Sequence, residues 1–362
     1  MWHTWFDRDL SVAGCVTIQK EDGSFQRKLV KINEPLLRIP NLAIHLTTAD
    51  ERKAFEVNKE THLAPLICSQ IEKKINMNVN DSDDENSANI SWENRQNSAL
   101  MQKLATAAGC AEGETIKAFD LSLFDTQPAS IINGELLSSA RLDNLASCYV
   151  LARALAESPI EEDEGVSMFV GFDHEEVGSS SIVGAGSTLI SDATRRIGDA
   201  LLAGHSDAAH RVLLRQSFCL SVDQAHSIHP NYASKHEPDH APKINGGLVI
   251  KHNANQRYST NRDAPSLLLR EIASKMNASK DVLSRTGLQE FVVKNDCACG
   301  STIGPILSTQ TGITTVDVGM PSLSMHSIRE VMGVRDVSHG FDFFQEYFKS
   351  FDEVAARVKI FE

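Results

Sequence analysis

A chain of 362 residues, 41% of them hydrophobic, can bury a sizeable core, and its length suggests two domains. Its formal net charge of −13, with no cluster of Lys and Arg, argues against nucleic acid or an anionic membrane as a partner. No run of 18 apolar residues and no secretory h-region occur, and seven scattered cysteines read as reduced thiols, so a cytoplasmic compartment is expected.

Residues 10 to 70 read as β-rich. Alternation over Ala13 to Gln19 and again over Gln26 to Ile32, with the polar turn Glu21-Asp22-Gly23-Ser24 between them, predicts a hairpin. The stretch Asn78 to Asn97, acidic at Asp81 to Glu85, has too little apolar area to order itself and reads as a mobile loop. A short helix follows at Ser98 to Ala108, then a strand at Ile116 to Leu123. Beyond about residue 122 the rhythm changes. Helices are expected over 145–155, 187–203 and 264–276, and strands over 166–172, 217–222 and 313–318. Such alternation specifies an α/β domain, a mainly parallel sheet sandwiched by helices.

In an open sheet of this kind, ligands collect at the carboxyl ends of strands. Asp143, the pair Glu175-Glu176, Asp223 and His326 each stand just beyond an apolar segment. Each has a plain structural reading. Asp143 could cap a helix, the glutamates could complement a helix dipole, Asp223 and Asp317 could form turns, and His326 could be structural. Their shared position favours a cation, because several carboxylates in one crevice repel one another until a positive charge neutralises them. Oxygen donors with an imidazole suit Zn²⁺, Mn²⁺ or Co²⁺. Of the two adjacent glutamates, one would hold the cation and the other move a proton. Competing chemistries find no motif. His174-Glu175-Glu176-Val177-Gly178 lacks the second histidine of H-E-x-x-H, and neither a G-x-S-x-G elbow nor a P-loop occurs.

Several stretches, in this order, resemble the M18 family of aspartyl aminopeptidases. They are Thr4-Trp5-Phe6-Asp7-Arg8-Asp9-Leu10, the run Arg38 to Leu46, Asp125-Thr126-Gln127-Pro128, Arg141 to Leu145, Glu175 to Ser179, His229-Pro230-Asn231-Tyr232, Gly300 to Ile306 and Met325 to Glu330. The resemblance implies a zinc-exopeptidase-like domain over 123–362 and a β-rich dimerisation domain over 1–122, with dimers assembling into a dodecamer. It implies a two-zinc enzyme that releases N-terminal Asp or Glu from peptides. On matching positions Asp143 would bridge the metals, Glu176 and His326 would each serve one, Asp223 would complete the second, and Glu175 would be the general base. Lys251 and His229 would meet the substrate's acidic side chain, and His45 would reach a partner subunit's site. One departure stands out. The family's further His ligand, in a His-Thr-Asp motif, lies upstream of the part that matches Met1, so the chain reads as an N-terminally truncated form. A second reading, a non-catalytic assembly subunit, follows from that departure.

Overall fold

The computed structural model describes residues 1–68, 91–159, 165–261, 263–278, 280 and 287–361. The chain divides into two compact units, Met1–Pro128 and Ala129–Glu362. Much of the acidic stretch read as a mobile loop, residues 78–90, lies outside the described residues. Its last part forms a 3₁₀ turn at Glu93–Arg95.

In the first unit the predicted hairpin is present. Strands β1 (Leu10–Gln19) and β2 (Phe25–Lys31) pair antiparallel, and β3 (Thr115–Asp125) pairs antiparallel with the other side of β1. The period-two pattern puts Val12, Val16 and Ile18 on one face, against Val30, Ile116 and helix α1 (Ser98–Ala108), which contributes Leu104 and Ala108. The Asn97 side chain caps α1 by accepting from the Leu100 N–H at 3.1 Å, and Gly109, at φ 62°, ends it in the left-handed conformation that glycine tolerates.

The second unit contains β4 (Ser130–Ile132), β5 (Leu136–Ser139), α2 (Leu142–Ala156), α3 (Leu189–Leu201), α4 (Asp207–Arg215), β6 (Phe218–Val222) and β7 (Ala225–His226). It continues through β8 (Val249–His252), α5 (Asp263–Asn277), β9 (Gln289–Val292), α6 (Gly304–Thr311), β10 (Thr314–Gly319), β11 (Pro321–Leu323), β12 (Glu330–Gly333) and α7 (Val334–Val358). One sheet has the order β6-β10-β8-β9, parallel in its outer pairs and antiparallel where β10 meets β8. The other has the order β4-β5-β12-β11-β7. Ile250, Val316 and Val318 of the first sheet share a core with Leu268 and Ile272 of α5, Val150 of α2, and Phe343 and Phe344 of α7. The close approach at Gly340 explains a glycine inside a 25-residue helix: a Cβ there would come within 3.0 Å of the Met320 sulfur.

One expected strand is absent. The run Val166 to Phe172 forms no ladder; it lines a cavity of about 1770 Å³ together with residues of α3, α4, β6 and α7. Apolar character drives burial, but a strand also needs neighbouring backbone to receive its hydrogen bonds. None of the described segments supplies it.

Strands β6 and β10 run side by side out of the first sheet and continue, as β7 and β11, into the second. Asp223 sits at that crossing, its N–H donating to the Val318 carbonyl at 3.0 Å. Just below it Asp317, the turn former of the sequence reading, is fully buried and accepts from Ser221 Oγ (2.7 Å), Thr302 Oγ1 (2.5 Å) and the Ser259 N–H (2.5 Å). Asp317→Asn places an amide donor among those donors. It is expected to cost about 1–3 kcal/mol of unfolding free energy in a denaturant melt, with metal content unchanged. An unchanged melt would show the three bonds to be dispensable.

Candidate active site

Helix α2 begins irregularly. Arg141, left-handed at φ 56°, holds the N-cap position without a side-chain bond, and Asp143 and Asn144, inside the helix, depart from helical geometry. The capping reading of Asp143 therefore fails. The carboxylate instead turns toward the crossing of β6 and β10. Asn144 Nδ2 donates to the Val222 carbonyl at 2.6 Å and Gln224 Nε2 to the Leu142 carbonyl at 3.3 Å. The neighbours of Asp143 and Asp223 thus tie each other's segments together and bring the two carboxyl groups close enough for the charge of Asp223 to act on Asp143.

Glu175 and Glu176 lie on a single 3₁₀ turn, Glu175–Val177, entered through left-handed His174 and left through left-handed Gly178. The tight turn points successive side chains in different directions, which separates the two carboxylates. His326, itself left-handed at φ 62°, brings its Nε2 to 3.3 Å from Glu176 and 3.5 Å from Asp143. Asp143, Glu176 and His326 offer three donor atoms within 4.8 Å of one another, the one such group among the described residues. The Asp143 side chain is only 6% exposed, whereas those of Glu176 and His326 face solvent, so a cation could enter from outside and rest on a buried anion.

Electrostatics agree with that geometry. Burial, and then the charges of Asp223, Glu330 and Glu176, push Asp143 up to about 9. Burial followed by Asp223 and Glu176 pushes Glu175 up to about 7, with Lys251 opposing. Carboxyl groups crowded into such repulsion fit a divalent cation: binding one turns the repulsion into coordination. Asp223 stands beside Asp143 and outside the group of three.

Lys251 is 1% exposed. Its ammonium donates to the Gln224 carbonyl at 3.1 Å, lies 3.7 Å from Asp223 and packs over the Tyr258 ring at 5.0 Å. His229 holds the Asn231 N–H on its Nδ1 at 3.2 Å, so a neutral ring carries its proton on Nε2. Its backbone N–H donates to His236 Nε2 at 3.0 Å. His45 is exposed on the 3₁₀ turn Ile44–Leu46 of the first unit.

Three residues of this neighbourhood escaped sequence reasoning. Tyr258 is buried beneath Lys251. His226 touches solvent in a crowded corner; desolvation, then Lys251, His236 and His326, lower it to about 4. Glu330, 3% exposed, accepts from the backbone N–H groups of both Asp143 and His326. Only the spacing of Glu330, four residues beyond His326, hinted at a connection, and spacing alone does not announce a bond to backbone.

An α/β unit that gathers cation donors beside a raised carboxyl at its strand ends is built as a metal-dependent hydrolase. The family description "Aminopeptidase I zinc metalloprotease (M18)" matches residues 1–348, and the chain belongs to that family. It is 42% identical over 382 residues to a probable aspartyl aminopeptidase of Ricinus communis, covering 99% of this chain and 75% of that protein. Among solved structures it is similar to a chain in a cryo-EM structure of the Ape4 and Nbr1 complex, at 37% identity and TM-score 0.84, covering 99% of this chain and 66% of that one. It is also similar to a Saccharomyces cerevisiae mApe1 solved as a dodecamer, at 26% identity and TM-score 0.73, covering 98% and 72%.

Proposed function

We propose that this protein is a zinc aminopeptidase that releases Asp or Glu from the N-terminus of peptides. The observation that carries the reading is the convergence of Asp143, Glu176 and His326 on one point, with Glu175 beside them on the same turn as Glu176. Asp143, Glu176 and His326 would hold a zinc ion, and Asp223, beside Asp143, would contribute to a second. The bound metal supplies Lewis acidity, lowering the pKa of a water and polarising the scissile carbonyl.

The remaining chemistry falls to the side chains. Glu175, held near neutrality, takes a proton from the attacking water and returns it to the departing amine, a transfer for which a pKa close to ambient pH is best. Lys251, anchored by Gln224, supplies the positive charge that an acidic side chain needs inside a protein of net charge −13. His229 would support the same side chain through its Nε2 proton. The similarity to a dodecameric relative supports a homo-oligomer, in which His45 would face a neighbouring subunit's site. All seven cysteines are free and, among the described residues, no helix is long and apolar enough to cross a membrane; a cytoplasmic compartment fits the thiols. Roughly 40% identity to aspartyl aminopeptidases favours the enzyme over the assembly subunit.

Hydrolysis of Asp- and Glu-peptides against Leu- and Ala-peptides by zinc-loaded protein tests the proposal. Turnover confined to the acidic substrates is expected; equal turnover of all four, or of none, would refute it. Lys251→Met keeps the buried stem and removes the charge. It should lower kcat/KM for acidic substrates by about 1.5–3 kcal/mol, roughly 10–150-fold. An equal loss on neutral peptides would strip Lys251 of its specificity role.

A further inference from the structure

We propose that Glu330 is a positioning residue whose two carboxylate oxygens hold the backbone of Asp143 and of His326 and so set the distance between two donors of the cation site. The proposal rests on the reading that those two residues bind the metal. Glu330 Oε2 accepts from the Asp143 N–H at 2.8 Å and Oε1 from the His326 N–H at 2.8 Å. The two segments joined in this way are 183 residues apart in sequence (326 − 143). One opens α2; the other is the loop between β11 and β12. A single rigid group with both oxygens engaged is the shortest link that can connect them.

Both segments need holding. Arg141, Ser324 and His326 are left-handed, a conformation that residues other than glycine keep only when their surroundings enforce it. Glu330 is well placed to enforce it. It begins β12, whose ladder with β5 pairs Glu330 with Ser139, and its neighbour Arg329 donates to the Ser138 carbonyl at 3.1 Å. The clamp is thus rooted in the sheet that ends just before Asp143. Glu330 is not one of the three donors that approach each other, so its part is to aim ligands and not to be one. Its negative charge, 3% exposed, also adds to the field that favours a cation.

The second unit provides its own control. Asp336 is a fully buried carboxylate with the same double grip, accepting from the Asn245 N–H at 2.7 Å and the Gly247 N–H at 3.0 Å, but its partners lie outside the cation site. Glu330→Gln turns one acceptor into a donor facing an N–H, and Asp336→Asn does the same at the control position.

The experiment is an equilibrium Zn²⁺ titration of the purified full chain against a competing chelator. The visible absorption of the Co²⁺-loaded protein is recorded alongside as a report on coordination geometry. Glu330→Gln is expected to raise the apparent Kd for Zn²⁺ by roughly 10–100-fold and to change the Co²⁺ bands. Asp336→Asn should lower thermal stability and leave both signals at wild-type values. Glu330→Asp keeps the charge but is one methylene too short for both amides; it is expected to lose affinity likewise, and it serves if the Gln variant does not fold. Wild-type affinity in either Glu330 variant, or an equal loss in Asp336→Asn, overturns the proposal. Failure of the wild-type protein itself to bind Zn²⁺ would instead overturn the reading of the metal site.

Discussion

Glu175→Gln is expected to lower kcat by about 10²–10⁴-fold while zinc content and KM stay close to wild type. The change preserves the size of the side chain and its place on the 3₁₀ turn, but an amide cannot accept the water proton at neutral pH. Two observations separate Glu175 from its neighbour. It stands outside the group of donors that meet at Asp143, and it is the half-buried carboxyl that burial, Asp223 and Glu176 raise to about 7. A raised value matters for the second half of the reaction. A carboxyl that ionises near ambient pH can hold the proton long enough to deliver it to the leaving amine, whereas an ordinary glutamate would release it to solvent. Metal analysis alongside kinetics decides the role. Loss of zinc from the Gln variant would make Glu175 a ligand, and retention of full turnover would leave the base elsewhere.

How far the sequence foretold this site depends on what kind of contact each residue makes. Asp143, Glu176 and His326 could be found because a charged residue after an apolar strand or before a helix is a local pattern, and the resemblance to M18 enzymes named the same positions. Most of the elements were equally legible. The hairpin at β1 and β2 follows from alternation, and α3, β6, α5 and β10 lie within one or two residues of their expected bounds. The stretch at 166–172 went the other way: its composition is that of a strand, but strandedness depends on partners that composition does not describe. The long α7 escaped because Gly340 interrupts its pattern, and the reason for the glycine, Met320 on a neighbouring segment, is visible only in three dimensions. The same holds for Glu330 and for the burial of Lys251, a residue that the resemblance had named. One binds a backbone amide 187 residues away (330 − 143), and the other is a buried cation whose sequence context, Val249-Ile250-Lys251-His252, looks like an ordinary strand end. Ligands leave a signature in residue type; the groups that aim them leave theirs in backbone geometry.

Asp143→Asn should have the opposite signature to Glu175→Gln, abolishing zinc binding first and activity as a consequence. Asp143 is the buried member of the donor group, and the exposed carboxylate of Glu176 and ring of His326 cannot bind tightly without an anion between them. The loss of affinity should therefore exceed the roughly 10–100-fold expected when a supporting residue is removed. The metal-free protein should respond in the other direction. Asp143 is raised to about 9 chiefly by burial and by Asp223, so its ionised form is an unfavourable charge in the empty crevice. The Asn amide is neutral and offers Asp223 a donor, which relieves the repulsion. In chelator, the variant is expected to unfold at a temperature equal to or above that of wild type. With excess Zn²⁺, wild type should gain stability by the amount that ligand binding to the native state confers, and the variant should gain none. Such a crossing, the variant at least as stable without metal and the wild type more stable with it, is what a site built for a cation at the expense of the fold must give. A variant less stable than wild type under both conditions would mean that Asp143 serves the fold, and a variant that binds Zn²⁺ with wild-type affinity would remove it from the donor group.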